Sequence, residues 1–140
     1  MASATKPNVF ISYARHDRAF ADLIRGYLIG RHDLGVTLDQ AIAAGENWPE
    51  AMSAALDSSE VVILLVSPAF LSSQWNLYEA GVALAKARAR QGRVVTVLVG
   101  DVDPSDLPAS LRSVQMVDAR GDDQRLVLGQ LDEALSRAAA

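Results

Sequence analysis

Six apolar residues in unbroken succession, Val61-Val62-Ile63-Leu64-Leu65-Val66, constrain this chain more than any other feature. Successive strand side chains point to opposite faces, so a run without a polar residue is buried on both. A strand covered on both sides belongs inside a parallel sheet, where crossover helices supply the cover. Related apolar or β-branched runs occur at Val9-Phe10-Ile11-Ser12-Tyr13, Gly35-Val36-Thr37-Leu38, Val94 to Val99 and Val114-Gln115-Met116-Val117, which predicts five strands.

Helical patterns lie between them. Phe20, Leu23, Ile24, Tyr27 and Leu28 fall in the register of one apolar helix face, with Asp17 placed to cap the first turn. Trp48-Pro49 opens a second helix with Met52, Ala55 and Leu56 inward, and Ser58-Ser59 ends it. A third helix begins near Ser72 and Ser73 and closes with Lys86, Arg88 and Arg90 before Gly92. Its sheet-facing stripe is Ala80, Ala83, Leu84 and Ala87, and the small Ala80 and Gly81 predict a helix seated close to the sheet. The segment from Gly100 to Arg112, rich in Asp and Pro, reads as loop or one short turn. Leu126, Val127, Leu128, Leu131 and Leu135 mark a last amphipathic helix of about fifteen residues. The alternation is that of an α/β protein with an open parallel sheet and right-handed crossovers.

The 140 residues suit a single domain, expected over 8–137, with flexible ends at 1–7 and 138–140. Thirteen Lys and Arg against seventeen Asp and Glu give a net charge of −4, which disfavours direct nucleic-acid binding and anionic membranes. With no cysteine and only His16 and His32 as imidazoles, no metal site is expected. The N-terminus lacks the apolar core of a secretory signal, and no apolar run is long enough to span a bilayer. A cytoplasmic protein is the expectation.

Open parallel sheets bind ligands beyond the carboxyl ends of their strands. Those loops contain no GxGxxG, no GxxxxGK[ST] and no GxSxG, so dinucleotide-fold, P-loop and α/β-hydrolase chemistry lack their motifs. A phosphoacceptor receiver needs an Asp where Ser67 stands. What remains is Ser72-Ser73-Gln74-Trp75-Asn76-Leu77-Tyr78-Glu79, with an indole and a carboxylate four residues apart on one helix face. A carboxylate half-hidden beside an indole can have a raised pKa or bind ligand hydroxyls; an ordinary solvated Glu79 and a sheet-covering Trp75 fit the same spacing.

Taken in order, Val9-Phe10-Ile11-Ser12-Tyr13-Ala14 with Asp17, Gly35-Val36 with Asp39, Gly45 and Trp48, Val62 to Ser67, and Ser73-x-Trp75-x-x-x-Glu79 resemble a TIR (Toll/interleukin-1 receptor) domain of the bacterial NAD-hydrolase type. The motifs span roughly residues 8 to 90. Asn76, where the family often has Cys, and the small Ala80 depart from its pattern at packing positions.

The resemblance implies a flavodoxin-like three-layer sandwich whose five parallel strands run in the order 2-1-3-4-5. It also implies cleavage of the nicotinamide–ribose bond of NAD⁺, giving nicotinamide and ADP-ribose or a cyclic isomer. Glu79 matches the catalytic glutamate; Ser12, Tyr13, Arg15, Asp39, Ser67 and Trp75 are the substrate-binding candidates. NAD⁺ is then the substrate, and no cofactor is required. The loop from Gln40 to Asn47 corresponds to the BB loop, so Ala43, Gly45, Glu46 and the adjacent Trp48 are candidates for homotypic TIR–TIR assembly. A fused or partnered sensor domain and a role as an assembly-activated effector of antiphage defence belong to the same implication. A non-catalytic TIR scaffold is the alternative, and a nucleoside deoxyribosyltransferase-like enzyme is a third class with fewer matching features.

Overall fold

The computed structural model describes residues 8–32, 35–38, 56, 59–73, 77–78, 80–85, 93–112, 115–120 and 127–133. Five strands, β1 (Asn8–Ser12), β2 (Gly35–Leu38), β3 (Val61–Val66), β4 (Arg93–Val99) and β5 (Gln115–Ala119), form one sheet. The order is β2-β1-β3-β4-β5 and every pairing is parallel. The five runs read from the sequence are these strands, shifted by one or two residues at some ends. Tyr13 falls just beyond β1, and β5 continues to Ala119.

All six side chains of β3 are buried, and they divide by parity. Val61, Ile63 and Leu65 join one apolar cluster; Val62, Leu64 and Val66 join another on the opposite face. The first cluster is closed by α1 (Arg18–His32) and by α5, helical at 127–133. Ala21, Ile24 and Leu28 supply the centre of the inward stripe of α1, with Phe20 and Tyr27 packed at its margins. The Tyr27 hydroxyl donates to the carboxylate of Asp132, tying α1 to α5 along that layer. The second cluster is closed by Leu56, by the one-turn α2 (Pro68–Leu71), by α3, helical at 80–85 after helical residues 77–78, and by the one-turn α4 (Ala109–Arg112). Helices on both faces of a parallel sheet make the flavodoxin-like three-layer sandwich.

Ala80, Ala83 and Leu84 are the buried stripe of α3, as their spacing predicts. Gly81 is not part of that seat: it is exposed, and a Cβ built on it meets nothing within 4 Å. Of these small residues, the two alanines face the sheet and Gly81 does not. α2 is a single turn that no apolar period in the sequence marks. Between β4 and β5 the chain makes two single turns, the 3-10 turn Pro104–Asp106 and α4, rather than a full helix. The expected helix from Trp48-Pro49 with Met52 and Ala55, the closing turn with Lys86 to Gly92, and both chain ends lie outside the described residues.

One buried polar atom stands out in this core. Thr96 is fully buried in β4, in register with Leu64 and Met116, and its hydroxyl finds no hydrogen-bond partner among the described residues. An unsatisfied buried hydroxyl costs about 1 to 3 kcal/mol, and valine has almost the same shape. Thr96→Val is therefore expected to raise the unfolding free energy by about 1 kcal/mol in urea titrations. A loss of stability contradicts the assignment of this hydroxyl as unsatisfied.

Candidate functional site

Because every pairing is parallel, all strands present their carboxyl ends at one edge of the sheet, and the order reverses direction between β1 and β3. At such a switch point the loops diverge to opposite faces and leave a crevice. Its two walls are the segments that follow these strands. After β1 the chain passes through Tyr13 and Ala14 into the 3-10 turn Arg15–Asp17, closed by the Asp17 amide on the Ala14 carbonyl at 2.8 Å. After β3 comes Ser67, which caps α2: its Oγ accepts the Phe70 amide at 3.1 Å, and Pro68 takes the first helical position.

The walls are joined. The Ser67 hydroxyl donates to Oδ2 of Asp17 at 2.6 Å, a charge-assisted bond fifty residues apart in sequence. Ser67 is 3% exposed, so its proton and one lone pair are both committed inside the protein. Gly100, just beyond β4, adopts φ +73°, and a Cβ there would lie 3.9 Å from Cδ of Pro68. The positive φ suits glycine at this bend, which lies beside the start of α2.

A second polar group occupies the tips of β4 and β5. Arg120 grips Asp118 with Nε and Nη2, each at 2.9 Å from a different carboxylate oxygen, while its backbone amide adds a third bond at 3.0 Å. Nη1 reaches the Val102 carbonyl at 3.4 Å, which links the two loops. The Arg120 side-chain hydrogen bonds hold the Asp118 carboxyl at about 2, below its ordinary 3.8. Asp103 is also lowered, chiefly by the Ser105 amide that its side chain accepts at 2.9 Å. Among the described residues no group of three or more His, Cys, Asp or Glu is placed to hold a metal ion. No helix of the described residues is long and apolar enough to cross a membrane.

The TIR domain model matches residues 9–131. The chain belongs to the TIR domain family. This TIR domain is 31% identical over 117 residues to the stimulator of interferon genes protein of Magallana gigas, covering 82% of the chain and 28% of that relative. It is 36% identical over 69 residues to the Toll/interleukin-1 receptor domain-containing adapter protein of Homo sapiens, covering 49% of the chain and 31% of that relative. The chain thus spans less than a third of either relative. The TIR domain of the Toll-related receptor TRR-2 from Hydra magnipapillata shares its fold, with TM-score 0.72 and 18% identity over 91% of this chain and 97% of that one.

Four of the substrate-binding candidates of this TIR domain fall among the described residues, and all four lie at the tips of β1 and β3. Ser12 is fully buried at the end of β1. Tyr13 is 1% exposed and packs in the core layer under α1. Arg15 is exposed in the 3-10 turn. Ser67 joins the walls as described. Glu79, Asp39, Trp75, Ala43, Gly45, Glu46 and Trp48 lie outside the described residues. Their flanks are described: the Leu77 amide donates to the Ser73 carbonyl at 3.0 Å, and Ala80 is buried against the sheet. Asp17 is the site residue that sequence reading underrated. It was expected to cap α1, and its carboxylate bridges the crevice. The sequence signal was the pair Ser67-Pro68, a cap followed by a first-turn proline, which marks α2 and gives the serine a fixed place.

The lowered Asp118 carboxyl makes a pH test. Its folded value lies below its unfolded one, so its contribution to stability is complete above pH about 4 and is lost as pH falls toward about 2. Solvent screens this half-exposed pair, so the contribution is small. Arg120→Ala is expected to return the Asp118 carboxyl toward 3.8 in an NMR titration. An unchanged titration contradicts the grip by Arg120.

Proposed function

We propose that this TIR domain cleaves the nicotinamide–ribose bond of NAD⁺, with Glu79 as the catalytic carboxylate. The observation that carries the reading is the reversal of strand order between β1 and β3, where the segment after β1 presents Arg15 and the segment after β3 runs through Ser73 toward Glu79 in the sequence. Family membership and the Trp75-x-x-x-Glu79 spacing support it.

Departure of neutral nicotinamide leaves a ribosyl oxocarbenium ion. A carboxylate beside that carbon stabilises the developing charge and holds the ribose hydroxyls. Water then adds at the same carbon, giving ADP-ribose and a proton; attack by the adenine ring in place of water gives the cyclic isomer. Trp75 supplies an apolar wall whose face favours the cationic pyridinium. The Arg15 guanidinium, exposed at the tip of β1, meets the diphosphate. NAD⁺ is the substrate, and no cofactor takes part.

The finer reading is an assembly-activated cytoplasmic effector of bacterial antiphage defence. In it TIR domains pack homotypically through Gln40 to Asn47 and Trp48, in open filaments where the contact does not close. A fused or partnered sensor domain is supported by the two curated relatives, in which the matched part is under a third of the protein. One observation favours a second reading, a non-catalytic scaffold: the 36% identity to a human adapter protein over 69 residues.

Concentrated protein incubated with NAD⁺ separates the two. The enzyme reading predicts nicotinamide release, abolished on the order of 100-fold or more in Glu79→Gln with an unchanged thermal midpoint. Absence of release under assembling conditions selects the scaffold, and full activity of the variant removes Glu79 from the mechanism.

A further inference from the structure

We propose that Asp17 is a positioning residue for this site: through Ser67, its carboxylate fixes the segment 67–73, which precedes Glu79 in the chain. The kinetic arm of this proposal rests on the NAD⁺-cleaving reading above.

Hydrogen bonds link the described residues from Asp17 to Leu77 in steps. Asp17 closes the turn after β1 and directly precedes α1, so its backbone is fixed to the first wall. Its Oδ2 accepts a hydrogen bond from the Ser67 hydroxyl at 2.6 Å, which orients the serine so that a lone pair faces the Phe70 amide at 3.1 Å. Phe70 is fully buried in the second core cluster and anchors the turn against the sheet. The Ser67 carbonyl then accepts the Leu71 amide at 3.0 Å, and the Phe70 carbonyl accepts the Ser73 amide at 3.0 Å. The Ser73 carbonyl in turn accepts the Leu77 amide at 3.0 Å, two residues before Glu79.

A hydroxyl alone can rotate, and it can cap α2 in more than one rotamer. A carboxylate that accepts its hydrogen bond removes that freedom, and hydrogen bonds to a carboxylate are among the strong ones. The bond also holds the turn that contains Arg15 against the start of α2. Misplacement of a reacting group by about 1 Å is sufficient to reduce a rate on the order of 100-fold. Ser67, 3% exposed and doubly bonded, does not donate to a ligand while the bond is intact, so its role is also positional.

The test uses the full chain with Asp17→Ala, Asp17→Asn, Ser67→Ala and the double variant Asp17→Ala/Ser67→Ala. Two readouts are nicotinamide release, resolved into kcat and KM, and amide hydrogen exchange at Leu71, Ser73 and Leu77. Asp17→Ala is expected to lower kcat on the order of 10- to 100-fold with KM changed less than about threefold. The same variant speeds exchange at the three amides. Asp17→Asn keeps an oxygen that accepts the Ser67 proton and restores most of kcat. The double variant is no worse than the poorer single one, because both remove the same bond. Equal damage by Asn and Ala, or additive losses, overturns the proposal.

If the wild-type chain releases no nicotinamide, the NAD⁺ reading fails by itself, and exchange alone judges the positioning. Unchanged exchange in Asp17→Ala then overturns it, and faster exchange sustains it.

Discussion

A strand with six apolar side chains in succession leaves no face for water, so β3 requires helices on both sides and neighbours on both edges. Parallel neighbours meet that need only when every return crossover passes over a face of the sheet, which brings all the strand tips to one edge. Burial of β3 thereby determines where a site can be. The two apolar clusters of its odd and even residues hold α1 and α5 against one face and α2 to α4 against the other. The reversal of order between β1 and β3 opens the crevice between them.

Polar groups at that edge do different work at its two ends. At β1 and β3 a buried serine and a half-buried carboxylate bind each other, and neither is free to solvent in the way Arg15 is. At β4 and β5 the Arg120–Asp118 pair is half-exposed and screened, and it shapes loops rather than adding much stability. The first arrangement suits a place where distance between two walls matters for chemistry. The second suits an outer rim. Family membership establishes the fold and leaves the two proposed roles, cleavage and assembly, to be separated at the site.

Much of the fold was legible because burial on both faces leaves a mark in composition. The runs at 9–13, 35–38, 61–66 and 94–99 are strands within a residue of where their apolar content ends, and the Ala80, Ala83, Leu84 stripe is the buried face of α3. Short elements were harder. α2 has four residues and no period to read, so only its Ser67-Pro68 start marks it. Gly81 was misplaced because small size says nothing about which side of a helix faces the sheet. The bond between Asp17 and Ser67 joins residues fifty apart, and nothing local in either segment announces a partner on another strand. Tyr13 shows the converse: a hydroxyl-bearing residue in a site loop whose ring belongs to the core. Glu79 and Trp75 owe their assignment to motif spacing, which identifies residue types and leaves contacts to be measured.

The proposed reaction places NAD⁺ at the carboxyl ends of β1 and β3, with its ribose against Glu79. A crystal structure with an NAD⁺ analogue whose nicotinamide–ribose nitrogen is replaced by carbon tests this most directly. The account predicts the ribose hydroxyls within hydrogen-bond distance of the Glu79 carboxylate and the diphosphate beside Arg15 at the tip of β1. An analogue bound at the Arg120 rim, or seated with Glu79 turned away from the sugar, contradicts it.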